Sequence, residues 1–112
     1  MPEQGDIVLI PVPFTDLSSQ KQRPVIAISN NVYNRKTADI IVVAMTSNPA
    51  DTAYSFAISS SDLGNGVLNR PGRIRVDKVY TLSQSIVRRT FGRVKPEVLD
   101  HIRSVLLELT GP

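Results

Sequence analysis

The sequence predicts a mostly β protein (α+β class) in which a strongly bent antiparallel sheet or small barrel is followed by one C-terminal helix. Short runs rich in Val and Ile alternate with turn clusters up to Val94, a pattern typical of five or six short strands. After Pro96 the apolar residues instead recur at helical spacing. These patterns alone do not distinguish an SH3-like barrel from an OB-like barrel.

The first three strands are predicted at 7–14, 23–29 and 39–46. The second and third are dense in Val and Ile, so we expect them to be buried central strands. Pro11 and Pro13 each lack a backbone donor in the first strand. Because this weakens one flank, we expect that strand to be an edge or to contain a bulge.

Three further strands are predicted at 54–59, 73–82 and about 86–94. Alternating apolar residues indicate that the first of these is half-buried and that Val79 lies on the apolar side of the second. The segment 60–66 is rich in Ser, Asp, Asn and Gly, so we expect a turn there that includes a short helical turn.

The terminal helix is the clearest predicted element. Pro96 suits its first turn and Gly111 ends it, while Leu107 points away from its apolar face. That face is a single helical stripe formed by Val98, Leu99, Ile102, Val105, Leu106 and Leu109.

Composition narrows the classes of protein. A length of 112 residues predicts one domain, 1–112, with a single modest core. The absence of cysteine excludes disulfides and thiolate metal sites, and His101 is the only histidine, so a zinc site with two histidines is impossible. The start of the chain lacks a secretory pattern, and the aliphatic run 40–45 is far shorter than the roughly 20 residues that span a bilayer. We therefore expect a cytoplasmic protein without membrane contact.

Basic residues are concentrated between positions 70 and 95, in a chain whose net charge is +3. Only Asp77 opposes them within that tract. Such a tract can attract a polyanion, although solvated charged faces have the same composition. Its members are Arg70, Arg73, Arg75, Lys78, Arg88, Arg89, Arg93 and Lys95.

The segment 73–78 combines cations with a carboxylate. In a strand, Arg73, Arg75 and Asp77 share one face, while the two aliphatic residues between them turn inward. Asp77 could accept a proton from a ribose 2′-hydroxyl, and Arg75 could stabilise charge on a pentacovalent phosphorane. The alternative is that Arg75 and Asp77 form a simple exposed ion pair.

Two motifs near the start of the chain carry a family resemblance. The run Gly5-Asp6-Ile7-Val8-Leu9-Ile10, a polar loop containing Gln, and the strand start Arg23-Pro24-Val25 resemble the PemK/MazF (Kid-like) toxins of type II toxin–antitoxin systems. The resemblance covers nearly the whole chain, from Gly5 to about Leu109. It implies an SH3-like barrel with a C-terminal helix, of the CcdB/MazF-like toxin fold, and a homodimer.

The resemblance also implies the catalytic residues. Kid-type toxins carry an Arg-x-Asp that is implicated in RNA cleavage, and Arg75 and Asp77 match it here. In the family, a threonine ending a hydrophobic strand lies in the active site with the arginine of Arg-Pro, so Thr46 and Arg23 are the second pair. The residues alone favour another interpretation, in which Thr46 is a strand-terminating turn threonine and Arg23 caps a sheet edge, because both residue types are common in such places.

Substrate contacts are expected next to these positions. After the Arg-x-Asp the usual continuation is nearer Gln-x-Arg-Thr, so Lys78 and Tyr80 depart from it. Many relatives also carry Gly-x-Glu-Gln in the loop that here is 15–22, and this chain lacks the glutamate. If that glutamate helps as a base in relatives, Asp77 must act alone here. The residues we assign to RNA binding are Gln20, Lys21, Ser47, Arg73 and Lys78.

The implied activity is a sequence-preferring endoribonuclease that cleaves single-stranded RNA without a metal or other cofactor. The 2′-hydroxyl would be the nucleophile, so the products would be a 2′,3′-cyclic phosphate and a 5′-hydroxyl. The implied partners are RNA and an antitoxin with an acidic, flexible segment. DNA would be contacted only indirectly, through the antitoxin complex.

Two other functions remain open at this point. A CcdB-like toxin that poisons gyrase shares the barrel and cleaves nothing, and a barrel that binds RNA without cleaving it would also fit. We interpret His101 as a surface residue. Most aromatic residues should serve the core, although Tyr54, Phe56 and Phe91 could stack on bases.

Overall fold

One antiparallel sheet contains all seven strands found in residues 1–12 and 21–112, the part of the chain that the computed structural model describes. The strands are β1 (Asp6–Pro11), β2 (Gln22–Ala27), β3 (Asp39–Thr46), β4 (Ser55–Ile58), β5 (Leu63–Asn65), β6 (Gly72–Ser83) and β7 (Arg89–Val94). Their order in the sheet is β4-β6-β3-β2-β1-β7-β5. The helices are α1 (Asn31–Lys36) and α2 (Pro96–Leu109), and 3₁₀ turns occupy Ser60–Asp62 and Gln84–Ile86.

The two strands predicted to be central are central, because β2 and β3 each have a neighbour on both sides. The expectation of an edge at β1 is wrong, since β1 lies between β2 and β7. Pro11 is the last residue of β1, where a missing donor costs little, and Pro13 lies outside the described residues. An irregularity does occur, but between Ile7 and Val8 on the β7 side.

Helix α1 and strand β5 are elements that the sequence patterns did not predict. The Asn30 side chain caps α1 by accepting a hydrogen bond from the backbone N–H of Tyr33 at 2.8 Å. Such a short helix has too few turns to show an apolar period. The expected helical turn within 60–66 is confirmed as Ser60–Asp62, but β5 follows it directly.

The sheet carries apolar residues on both faces and curls into a half-barrel. On one face, side chains such as Ile7, Ile26 and Val43 pack with Val98 and Ile102 of α2. The terminal helix is therefore confirmed, and all of its predicted stripe except Leu109 packs in this cluster. None of the helices in the described residues is long and apolar enough to cross a membrane.

The other face of the sheet holds a second apolar cluster, which includes Val8, Val25 and Val42. One apolar prediction fails on β6, because Val79 is 42% exposed. The strand shifts register where Val43 pairs with Val79 but Ala44 pairs with Arg75, so the three residues 76–78 of β6 form a bulge with no paired residue on β3. In addition, β4 pairs only with Gly72 to Arg75, which leaves the β6 edge at Val79 uncovered by it.

Candidate active site

The strand register brings three of the predicted catalytic residues to one face of the sheet. On β3, Thr46 is opposite Arg73 and Ala44 is opposite Arg75. Val25 on β2 is also opposite Ala44, and continuing that register by two residues carries Arg23 to the level of Thr46. Directly opposed residues share a face. Arg23, Thr46 and Arg75 thus lie on three adjacent strands about 4.8 Å apart.

A cavity of about 190 Å³ joins Arg23 to Thr46 on this face. Its walls include the apolar side chains of Ile10 and Val25, which belong to the second core cluster. Tyr80 also lines this cavity, and sequence reasoning treated it only as a departure from the family pattern. The bulge in β6 sets its position, because it pairs Tyr80 with Val42. No sequence pattern reveals a bulge of that length.

Thr46 is fixed by its neighbours on both sides. Its hydroxyl oxygen accepts a hydrogen bond from the backbone N–H of Asn48 at 3.1 Å, so its own O–H proton is left to donate. Gly72 packs directly against the backbone of Thr46, since a Cβ at position 72 would lie 2.4 Å from the Thr46 carbonyl oxygen. Ser47 follows at an exposed position.

Arg75 and Asp77 form a two-pronged ion pair. The Nε of Arg75 donates to Oδ1 of Asp77 at 2.9 Å, and its Nη2 donates to Oδ2 at 2.8 Å. Ile74 and Val76 are fully buried, so the predicted alternation is confirmed for the part of the strand from 73 to 77. Both charged side chains remain more than a quarter exposed, at 27% and 29%. They can therefore be reached by a substrate.

The ion pair changes the acidity of both partners. Hydrogen bonds from Arg75 hold the pKa of Asp77 below its usual range, and the same bonds raise the pKa of Arg75. Tyr80 adds a smaller electrostatic contribution that also raises the pKa of Arg75. Asp77 is thus ionised at neutral pH, but it is a weak base while Arg75 holds both of its oxygens.

The residues assigned to RNA binding lie in different settings. The guanidinium of Arg73 is held by Asp51 at 2.9 Å and by the Ser55 hydroxyl at 3.0 Å, and its side chain is only 14% exposed. Lys21 and Lys78 are exposed, next to β1 and in the β6 bulge respectively. Gln20 lies outside the described residues. An RNA contact at each of these positions stays a prediction.

The basic tract is less strongly charged in space than in sequence. Asp77 is the only acid within the tract in the sequence, but acids from distant segments also pair with the tract. Arg93 binds Asp6 at 2.9 Å and Glu3 at 2.7 Å, and these bonds, that of Asp6 first, raise the pKa of Arg93. The surface of net positive charge that could attract a polyanion is therefore smaller than the sequence suggested.

His101 lies apart from this face of the sheet. It is exposed on α2, and its ring stacks on Phe56 with the ring centroids 3.7 Å apart. Within residues 1–12 and 21–112, no group of three or more His, Cys, Asp or Glu side chains could hold a metal ion.

The fold and the site together define a small curled β protein with cations, a hydroxyl and a carboxylate on one accessible face, an arrangement suited to a phosphodiester. A family model described as PemK-like, MazF-like toxin of type II toxin-antitoxin system matches residues 3–110. The chain belongs to that family. Endoribonuclease MazF1 of Mycobacterium bovis and endoribonuclease MazF4 of Mycobacterium tuberculosis are each 28% identical to it over 89 residues, which is 80% of this chain and 79% of theirs.

Solved structures agree on the fold. An endoribonuclease from a mycobacterial species, in complex with its cognate antitoxin, matches with a TM-score of 0.79 at 24% identity, covering 100% of this chain and 98% of that one. The MazE–MazF complex (form II) from Deinococcus radiodurans matches with a TM-score of 0.76 at 21% identity, covering 98% and 95%. The predicted MazF-like barrel with a C-terminal helix is thus confirmed.

Proposed function

We propose that this protein is the toxin of a type II toxin–antitoxin pair and acts as a sequence-preferring, metal-independent endoribonuclease on single-stranded RNA. The observation that carries the proposal is the common face of β2, β3 and β6, where Arg23, Thr46 and Arg75 lie together. Asp77 adds a carboxylate that is bound to Arg75 and still exposed to substrate. The named activity of the mycobacterial relatives supports the same proposal.

The reaction needs no nucleophilic side chain. The ribose 2′-oxygen attacks the adjacent phosphorus, so a 2′-O–P bond forms and the P–O5′ bond breaks. Asp77 takes the proton of the 2′-hydroxyl, and the 5′-oxygen leaves with a proton from the hydroxyl of Tyr80, which regains one from water. Arg23 and the O–H of Thr46 bind the phosphate oxygens. The products are a 2′,3′-cyclic phosphate and a 5′-hydroxyl.

The ion pair between Arg75 and Asp77 must open for this chemistry. When a phosphate approaches, Arg75 can exchange one carboxylate oxygen for a phosphate oxygen, because a guanidinium binds both groups with the same geometry. Release of Asp77 from these bonds raises its pKa back towards the usual value and makes it a better base. Substrate binding thus activates the base.

The proposed partners follow from family membership and charge. Two of the matching structures, from a mycobacterial species and from D. radiodurans, contain an antitoxin, and an acidic segment of such a partner would cover Arg23 and Arg75 here. We also propose a homodimer that works in the cytoplasm, with DNA reached only through the antitoxin complex. A chain without cysteine is compatible with that reducing compartment.

The test is to incubate the purified protein with a long RNA and to map the cut positions and the chemistry of the ends. We expect cuts at a preferred sequence, cyclic phosphate ends and no cut where the scissile ribose is 2′-deoxy. Cleavage of the deoxy substrate would mean that water is the nucleophile. Intact RNA together with gyrase trapped on DNA would instead support a CcdB-like poison, and salt-sensitive binding without products would support a non-catalytic RNA-binding barrel.

A further inference from the structure

A second cavity, of about 310 Å³, opens on the other side of the β2–β3 end. Its floor is apolar and includes Leu9, Met45 and Phe91. Leu9 alternates with Ile10 of the first cavity along β1, so its side chain points to the opposite face, whereas Met45 lines both cavities. The proposed chemistry uses no part of this floor.

The rim of this second cavity is basic and polar. Arg70 and Arg89 both line it, and both are exposed. Asn69 lies beside Arg70 and offers an amide with two donors and an acceptor. An apolar floor with a few polar groups at the edge, at the lower end of the usual size range for ligand pockets, suits one small, partly apolar anion.

The two cavities meet at Met45 and Thr46, which line both of them. Ser47 extends the contact into the second cavity. A strand of RNA whose scissile phosphate lies at Thr46 would therefore reach the second cavity within about one nucleotide. The half-buried ring of Phe91 gives a surface for base stacking, and the two exposed arginines on the rim can bind backbone phosphates.

We propose that the second cavity binds one unstacked nucleotide next to the cut, with its base against Phe91 and its phosphate between Arg70 and Arg89. This inference rests on the proposed function and adds to it the place where sequence preference arises. The amide of Asn69 and the hydroxyl of Ser47 are placed to read the edge of the base. The preference for a particular base at one position beside the cut then comes from binding in this cavity.

The experiment is a chemical double-mutant cycle on cleavage of a short RNA. One change removes a single base, as an abasic nucleotide placed at each position flanking the cut in turn, and the other is Phe91→Leu. We expect one abasic position, and Phe91→Leu with the intact RNA, each to slow wild-type cleavage by about 5- to 150-fold, the range for loss of one stacked base. Combined, the two should cost no more than either alone. If the fold-losses in cleavage rate from Phe91→Leu and from the abasic nucleotide multiply at every position tested, the two changes act independently, and the inference is wrong.

A second variant covers the case in which Phe91→Leu does not fold. Arg89→Ala changes an exposed side chain, and we expect it to slow cleavage and to reduce the dependence of cleavage on salt concentration. Arg103→Ala removes the same charge at an exposed site on α2, and we expect it to change neither the rate nor its salt dependence. Equal effects of Arg89→Ala and Arg103→Ala would contradict the inference.

A different result would assign the cavity to the protein partner. This would be the case if Phe91→Leu leaves the cut pattern intact and only weakens inhibition by the antitoxin. No cleavage by the wild type at all would refute the proposed function itself.

Discussion

The carboxylate of Asp77 receives two hydrogen bonds from the single guanidinium of Arg75, at 2.9 and 2.8 Å. The two residues are separated by only Val76, whose side chain is buried on the other face of the strand. Strand β6 thus presents a carboxylate and a guanidinium that are bound to each other.

Replacing Asp77 by Asn or Arg75 by Ala should abolish RNA cleavage and leave the fold intact. Both side chains are partly exposed, and exposed ion pairs contribute little to stability. Cleavage rates and thermal unfolding of the two variants are the measurements. Arg103→Ala serves as the control, because it removes an exposed ion pair with Asp100 away from the site. Full activity in both variants would remove the assignment of this pair.

The pH dependence should identify the base. Because Arg75 lowers the pKa of Asp77 in the folded protein, ionised Asp77 stabilises the fold above its ordinary pKa of about 3.9, and that contribution is lost as the pH falls through the lower folded value. The activity of the free enzyme should fall over the same pH range, because Asp77 can accept a proton only when it is ionised. We expect kcat/KM to stay constant from neutral pH down to about pH 4 and to fall only below it. A fall in kcat/KM that begins well above about pH 4 would contradict Asp77 as the base.

Tyr80→Phe tests the proton donor. The change keeps the ring in the cavity and removes the hydroxyl, so cleavage should slow by about 10²- to 10⁴-fold, the usual contribution of a general acid. An RNA in which sulfur replaces the scissile 5′-oxygen should restore the rate, because a thiolate leaves without a proton. Rates are compared on both substrates for the wild type and the variant. The same loss on the sulfur substrate would show that Tyr80 only packs.

The terminal helix should stabilise the fold through one face. Ile102 is 1% exposed and packs in the first core cluster, so Ile102→Ala should cost about 2–5 kcal/mol of unfolding free energy. Leu107 is 76% exposed on the same helix, and Leu107→Ala should stay within about 0.5 kcal/mol. Chemical denaturation of the two variants measures the difference. Equal losses would mean that a partner covers Leu107 in solution.

The sequence predicted the elements whose pattern is long and regular. Strand β3 was predicted at 39–46 and is observed at Asp39–Thr46, and the apolar stripe after Pro96 located α2. In contrast, α1 and β5 are too short for a period to be visible. Of the edge or bulge expected for β1, the edge was wrong, because a proline at the last position of a strand does not reveal which partners the rest of that strand has. An irregularity is present on β1, at Ile7 and Val8.

The candidate site was predictable only in part, for a similar reason. The alternation around Arg75 is local, so the sequence shows which face it occupies. The pairing of Thr46 with Arg73 and the place of Tyr80 depend instead on a register shift in β6 between distant segments. The acids that reduce the basic tract, such as Asp51 and Glu3, also come from elsewhere in the chain. Only tertiary structure brings those charges together.

Gly72 has no side chain to contribute, yet it lies against the carbonyl oxygen of Thr46 with no room for a methyl group. Any larger residue there would push apart the backbones of β3 and β6 at the point where both cavities meet. When position 72 is replaced by each of the other amino acids, most replacements should therefore abolish toxicity, as at the residues that touch the RNA. A selection for loss of toxicity should recover these replacements at similar frequency.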